Sequence, residues 1–169
     1  MDNPNADGAE TTDRFGSAVA IDGDYAVVGN HTEYYSSGST GDGVVYIYNV
    51  TNGELLHTVT SPVQGGTDEY GNFGKTVSLS GYYTVIGSES YSVGGGSTGR
   101  AYVVDVRTGT VVQTIENPSS YGVSIQDKFG DAVAINNRTL VIAASREDSA
   151  GSEVAYSADD SGKAYIFTG

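Results

Sequence analysis

Apolar and polar positions alternate along most of the chain with a period of two, the spacing that separates the two faces of a β-strand. From Ser17 to Asp22, Val19 and Ile21 alternate with small or polar partners, and Tyr25 to Gly29 is a short β-branched run. Val44, Tyr46, Tyr48 and Val50 interleave with Val45 and Ile47, which makes that strand apolar on both faces. Such a strand is expected where one sheet is stacked on another. Leu55 to Val59 predicts a fourth strand. No segment carries the 3.6-residue spacing of an amphipathic helix.

The pattern recurs. FGSAVAIDGDYAVVGN from Phe15, FGKTVSLSGYYTVIGS from Phe73 and FGDAVAINNRTLVIAA from Phe129 align without gaps, their Phe-Gly pairs 58 and 56 residues apart. A second block, GVVYIYNVTNGELLHTVTSP from Gly43, returns as GRAYVVDVRTGTVVQTIENP from Gly99, and a third copy, GKAYIFTG, starts at Gly162 and stops. Pro4, Pro62 and Pro118 each precede their Phe by 11 residues. Three markers in phase define an internal repeat. Within it, Asp22-Gly23, Ser80-Gly81 and Asn136-Asn137 supply positive-φ residues for a tight turn between the first two strands. Asn52-Gly53 and Thr108-Gly109 do the same between the third and fourth.

Each repeat therefore reads as a four-stranded antiparallel meander, and stacked meanders of this length form a β-propeller-type array. The expected fold is all-β: one repeat domain over 1–169, with blade 1 at about 13–62, blade 2 at about 71–118 and blade 3 at about 127–169, the last lacking its fourth strand. Phe15, Phe73 and Phe129 are expected to plug the gaps between blades, with Gly16, Gly74 and Gly130 permitting close backbone approach. Tyr46, Tyr102 and Tyr165 recur at one strand position and belong to the core. Three blades are fewer than the roughly four to eight of a closed propeller, so edges stay open. Oligomerisation would complete the array, for example two chains forming a six-bladed ring or packing into a larger particle. The alternative is that the chain is part of a larger propeller.

The Phe-Gly start, the Val-Val-Gly or Val-Ile-Gly strand, the Gly-x-x-Tyr strand and the Asn-Gly or Thr-Gly turn resemble FG-GAP repeats, the blades of integrin α-subunit propellers and of many bacterial surface proteins. The resemblance spans almost the whole chain. It implies a propeller used for adhesion or recognition rather than chemistry, at an extracellular, cell-surface or virion-surface location. Two departures qualify it. The Gly-Ala-Pro element is degenerate (Gly29-Asn30, Gly87-Ser88, Ala143-Ala144), and the acidic D-x-D-x-D-G calcium loop between the first two strands is replaced by a two-residue turn.

Charge adds a direction to this picture. The 169 residues carry 8 Lys+Arg and 21 Asp+Glu, a net of −13. Tight turns occupy one end of the meanders. The longer connections, 5–14, 31–42, 63–72, 89–98, 119–128 and 145–161, share the other, with fourteen of the acids and three of the bases, a net of −11. Such a face attracts cations or basic patches and repels polyanions, which excludes nucleic acid as a partner. It equally keeps a strand-rich protein soluble. The same connections hold Tyr34, Tyr35, Tyr91 and Tyr156 among Ser and Gly, the composition of adaptable recognition loops, which makes these four the candidate ligand-binding residues. The bland alternative is that these rings pack down on the rim. Asp159, Asp160, Asp68 and Glu69 are the candidate metal-binding residues, as oxygen ligands for calcium.

Little else in the sequence suggests chemistry. There is no Cys, and the two His, His31 and His57, fall in a loop and in the fourth strand, so neither a nucleophilic thiol nor a His-based metal cluster is available. No G-x-S-x-G and no phosphate loop is present. No apolar run reaches the roughly 18 residues of a membrane helix. The segment Met1–Gly8 has neither the basic nor the apolar part of a signal peptide. That leaves a cytosolic protein, a virion protein or a piece of a longer secreted chain. Three N-x-T sequons, at Asn30, Asn49 and Asn137, are near chance for this composition. The expected function is a non-catalytic recognition or adhesion module binding a protein or glycan through the loop face. A purely architectural subunit of a shell, fibre or appendage, joined to itself or to neighbours through open blade edges, is the alternative. A propeller glycoside hydrolase is the distant third.

Overall fold

A computed structural model describes residues 1–5, 13–33, 43–63, 71–90, 92–93, 96–118, 127–148 and 161–168. The alternating segments form three antiparallel meanders. Blade 1 is β1 (Ala18–Asp22), β2 (Tyr25–Asn30), β3 (Val44–Asn49) and β4 (Leu55–Thr60), hydrogen-bonded in chain order. Blade 2 is β5 (Thr76–Ser80), β6 (Tyr83–Ser88), β9 (Arg100–Asp105) and β10 (Thr110–Glu116). Between β6 and β9 a small hairpin, β7 (Ser92–Val93) with β8 (Gly96–Ser97), occupies part of a connection read as plain loop. Blade 3 is β11 (Phe129–Asn136), β12 (Thr139–Ala144) and β13 (Lys163–Thr168). No helix occurs among the described residues, so none is long and apolar enough to cross a membrane.

The hairpin turns sit one residue later than the sequence suggested. Asp22 pairs with Tyr25, Ser80 with Tyr83 and Asn136 with Thr139, so the central residues are Gly23-Asp24, Gly81-Tyr82 and Asn137-Arg138. The first central residue of each has positive φ (53°, 58° and 54°). Asp22, Ser80 and Asn136 instead close the hairpins as strand residues, which frees two of their side chains to bond the next blade.

The blades stack face to face, and two joints hold them. At the first, Val27, Val45, Ile47 and Val59 on the rear of blade 1 meet Phe73, Ile86, Tyr102 and Val104 on the front of blade 2, with Val77 and Leu79 packed against the cluster. At the second, Val85, Ala101, Val103 and Ile115 meet Phe129, Leu140, Ile142 and Ala144, with Val133 and Ile135 alongside. Phe73 and Phe129 are fully buried, one in each of the two clusters between blades. Each also lies edge-on to the repeat Tyr of its own blade, Phe73 with Tyr102 at 5.5 Å and Phe129 with Tyr165 at 5.7 Å between centroids. Phe15 packs on Tyr46 within blade 1 and stays half-buried.

The closest backbone approach belongs to glycines other than those of the Phe-Gly pairs. A Cβ on Gly29 would lie 2.0 Å from the Gly74 carbonyl oxygen, and one on Gly43 2.0 Å from the Phe73 carbonyl oxygen. Gly87 and Gly99 stand in the same relation to Gly130 and Phe129, at 2.0 and 2.1 Å. Polar bonds reinforce the joints at the turn end. Gly81 N–H donates to the Asp22 carboxylate (2.6 Å) and Asn137 N–H to the Ser80 hydroxyl (2.9 Å).

Candidate functional site

The register puts the long connections at one end of all three blades. Asn30 pairs with Val44, Ser88 with Arg100 and Ala144 with Lys163, so the chain leaves and re-enters each blade at adjacent strand ends. Hydrogen bonds close two of these necks. Gly43 N–H donates to the Glu33 carbonyl (3.3 Å), and Gly162 N–H to the Glu147 carbonyl (2.9 Å). The ends of segments 34–42 and 149–160 are thereby held on a rigid scaffold, the usual setting for a binding loop.

Buried carboxylates underlie these necks. The Glu33 side chain turns inward, where Oε1 accepts the Tyr46 hydroxyl (2.5 Å) and Oε2 the Asn30 amide (2.6 Å). Burial, and then the Glu33 hydrogen bond, push the Tyr46 hydroxyl far above the ordinary phenol range. Glu147 repeats the arrangement in blade 3. Its Oε1 accepts from the Tyr165 hydroxyl (2.5 Å) and from Lys163 Nζ (2.7 Å). In blade 2 the acid stands two positions earlier. Buried Glu89 pairs with Lys75 of its own blade and with Lys128 of blade 3 at 3.8 Å. Asp127 accepts from the Asn117 amide (2.9 Å), and Asp13 from Asn3 (3.1 Å) in the matching place before blade 1.

These inward acids change the charge picture. Of the fourteen acids assigned to the loop end, Glu33, Glu89, Asp127 and Glu147 are buried. Part of the −11 is therefore internal scaffold rather than exposed field. Sequence reading missed them because an acid between Gly, Ser and Tyr looks like a solvated loop residue. The available signal was phase: Glu33 and Glu147 occupy the same register in repeats 1 and 3. A Tyr on a strand apolar on both faces also needs a hydroxyl partner.

His31, beside Glu33, is buried with Nδ1 at 3.0 Å from the Ser17 hydroxyl. Its pKa is lowered, first by burial and then by Arg14 and Lys75. Asn30 is fully buried and its side chain is bonded to Glu33 and the Arg14 N–H, so its sequon is no surface acceptor. Tyr46 and Tyr102 are buried and Tyr165 is half-buried. Tyr34, Tyr35, Tyr91 and Tyr156, and likewise Asp68, Glu69, Asp159 and Asp160, lie outside the described residues. Among the described residues no three of His, Asp or Glu converge as a metal site.

Face-to-face stacks of four-stranded meanders with tight turns at one end and long connections at the other are the blades of β-propeller-type proteins. The FG-GAP repeat model matches residues 5–48 and 122–167, more than half of the chain, and the chain belongs to that family. The two matches cover the first and third repeats. The central one, with its acid at Glu89 rather than in the Glu33 register, lies between them. FG-GAP repeats form surface and adhesion-type propeller modules, typically without catalytic activity. No curated protein sequence matches the chain.

Proposed function

We propose that this chain is a non-catalytic recognition module of the adhesion type. It binds a protein or a glycan at a cell or virion surface through segments 34–42, 91–97 and 149–160. The observation that carries this reading is the common origin of these segments. All three leave the blades at one end, and two of them do so from necks closed over the buried acids Glu33 and Glu147. Their Tyr, Ser and Gly content supplies contact area at low entropic cost. The test is binding to an array of immobilised surface glycans and matrix proteins. Wild-type chain is expected to bind a defined subset, and Tyr34→Ala with Tyr35→Ala to lose about tenfold or more in affinity at unchanged melting temperature. A wild-type chain that binds nothing on the array, or a double variant that binds as well, overturns the reading.

A second reading, the architectural one, is favoured by a separate observation. Val19 and Ile21 at one end of the array are 69% and 71% exposed, and Ile166 at the other is 71% exposed. Apolar residues of this kind in strands mark a contact surface when they cluster.

A further inference from the structure

The two joints inside the chain are copies of one another, and at the ends of the array parts of both halves stay exposed: the β1 side of the front of blade 1, whose Val28, Tyr46 and Tyr48 are themselves buried, and the rear of blade 3. Val77 and Leu79 of β5 seat on the rear of blade 1, and Val133 and Ile135 of β11 seat on the rear of blade 2. The same two positions of β1 are Val19 and Ile21, which seat on nothing. The receiving surface is complementary. Val27 and Ile47 on blade 1 are fully buried by blade 2, and Val85 and Val103 on blade 2 are fully or almost fully buried by blade 3. Their equivalents on blade 3, Val141 and Ile166, are 37% and 71% exposed.

The polar positions continue the series. Asp22 and Ser80 each accept the turn N–H of the following blade, and Asn136 stands at the same position of blade 3, where its amide oxygen accepts from the neighbouring Asn137 amide (3.0 Å). The chain entering blade 1 is also placed as though it came from a preceding blade. Asn3 bonds Asp13 as Asn117, just past the end of β10, bonds Asp127.

We propose that copies of this chain associate head to tail, the front of blade 1 of one copy seating on the rear of blade 3 of the next. The inference deepens the architectural reading and rests on it, and is independent of the loop-face reading. The contact is heterologous, so it either closes a ring or propagates. Two copies give six blades, within the range of closed propellers.

One residue sets the tightness of this joint. Gly29 and Gly87 let the carbonyl of the next blade's Phe-Gly pair come within 2.0 Å of where a Cβ would be. The equivalent residue of blade 3 is Ala143, which has that Cβ. An incoming Gly16 carbonyl must therefore stop short, and a gap of about 0.5–1 Å already forfeits a quarter to a half of the dispersion attraction. The external joint is weaker than the internal two and is reversible.

Light scattering of the full chain tests this. At about 100 µM the mass is expected to reach at least twice the 17.5 kDa of one chain and to fall on dilution. Ile21→Asp spoils the front and Ile166→Asp the rear, so each variant alone is expected to be monomeric. Mixed in equal amounts they are expected to form one-to-one pairs, because the mixture retains one intact front and one intact rear. Ala143→Gly is expected to tighten association by about tenfold. Circular dichroism and melting check that each variant folds. Ile21→Thr and Ile166→Thr, which keep β-branching, replace any Asp variant that does not. A monomeric wild type at that concentration, a single-face variant that associates like wild type, or a mixture that gives no pairs overturns the proposal. None of these variants touches the loop segments, so failure here leaves the array-binding result to be judged by itself.

Discussion

A carboxylate removed from water costs several kcal/mol unless donors meet its oxygens. Glu33 has two, and they have few alternatives: the Tyr46 hydroxyl and Asn30 amide are buried beside it. Truncation by Glu33→Ala orphans both groups. The expected loss is about 2–3 kcal/mol, which in a chain of this size lowers the melting temperature by about 5–10 °C. Glu33→Gln keeps an acceptor for the Tyr46 hydroxyl and is expected to lose less than half as much. A Glu33→Ala chain that melts with wild type would show that the acid is not an anchor. His31 adds a pH dependence. Its folded pKa lies below 6.5, so the unfolded chain binds the proton more readily. Its contribution is complete above pH about 6.5 and is lost as the pH falls through the lowered folded pKa. His31→Asn is expected to flatten that part of a stability–pH curve from urea titrations. An unchanged slope between pH about 7 and 5 would assign the effect to other groups. Beyond the shared register of Glu33 and Glu147, this chemistry was not legible in the sequence. Whether an acid in a Gly- and Ser-rich stretch faces water or a Tyr hydroxyl depends on the fold that surrounds it.

Strands and blades were largely legible, because a period of two in β-branched residues needs only local chain geometry. The predicted Ser17–Asp22, Tyr25–Gly29 and Leu55–Val59 match β1, β2 and β4 to within a residue at each end. The glycines divide differently. Gly53 and Gly109 serve turns with positive φ, as read. Gly29 and Gly87 lie within strands and serve the neighbouring blade, which a single repeat cannot reveal. Gly87→Ala makes the distinction measurable. Its Cβ would meet the Gly130 carbonyl oxygen at 2.0 Å and the Thr76 hydroxyl at 2.2 Å, and the carbonyl cannot rotate away. The second joint has to open, at a cost of about 2–3 kcal/mol. Because stability in such arrays is a sum over units and interfaces, blade 3 is expected to unfold ahead of blades 1 and 2. Calorimetry would show a second, lower transition, and a single sharp transition at the wild-type temperature would contradict the close-approach role. Ala143→Gly changes the same position where the described chain places no blade behind it. It should cost only the roughly 0.5–1 kcal/mol of a strand glycine.

At the scale of the whole molecule, the count of four, four and three strands read from the repeat phase is the count of blade strands among the described residues. Its consequence is visible at β13, which among the described residues pairs on one side only, with β12. In blades 1 and 2 the corresponding edge is covered by β4 and β10, and each covering strand sends one β-branched residue, Val59 or Ile115, into a core. Beside β13 lies a cavity of about 790 Å³ lined by Val112, Ile135, Leu140, Ile166 and Phe167 among others. An extended segment there would gain a row of backbone hydrogen bonds and apolar cover together, the mode of β-strand addition. A synthetic peptide with the sequence of residues 108–117, which spans β10, is therefore expected to bind in trans. Saturation near 100 times its dissociation constant would stabilise the chain by about 2.7 kcal/mol, a rise of about 5–10 °C in melting temperature. The same peptide with Ile115 replaced by Asp keeps the backbone bonds but cannot enter the core, and should give little of that rise. Equal stabilisation by both peptides, or by neither, would mean that the open edge of blade 3 does not accept a strand.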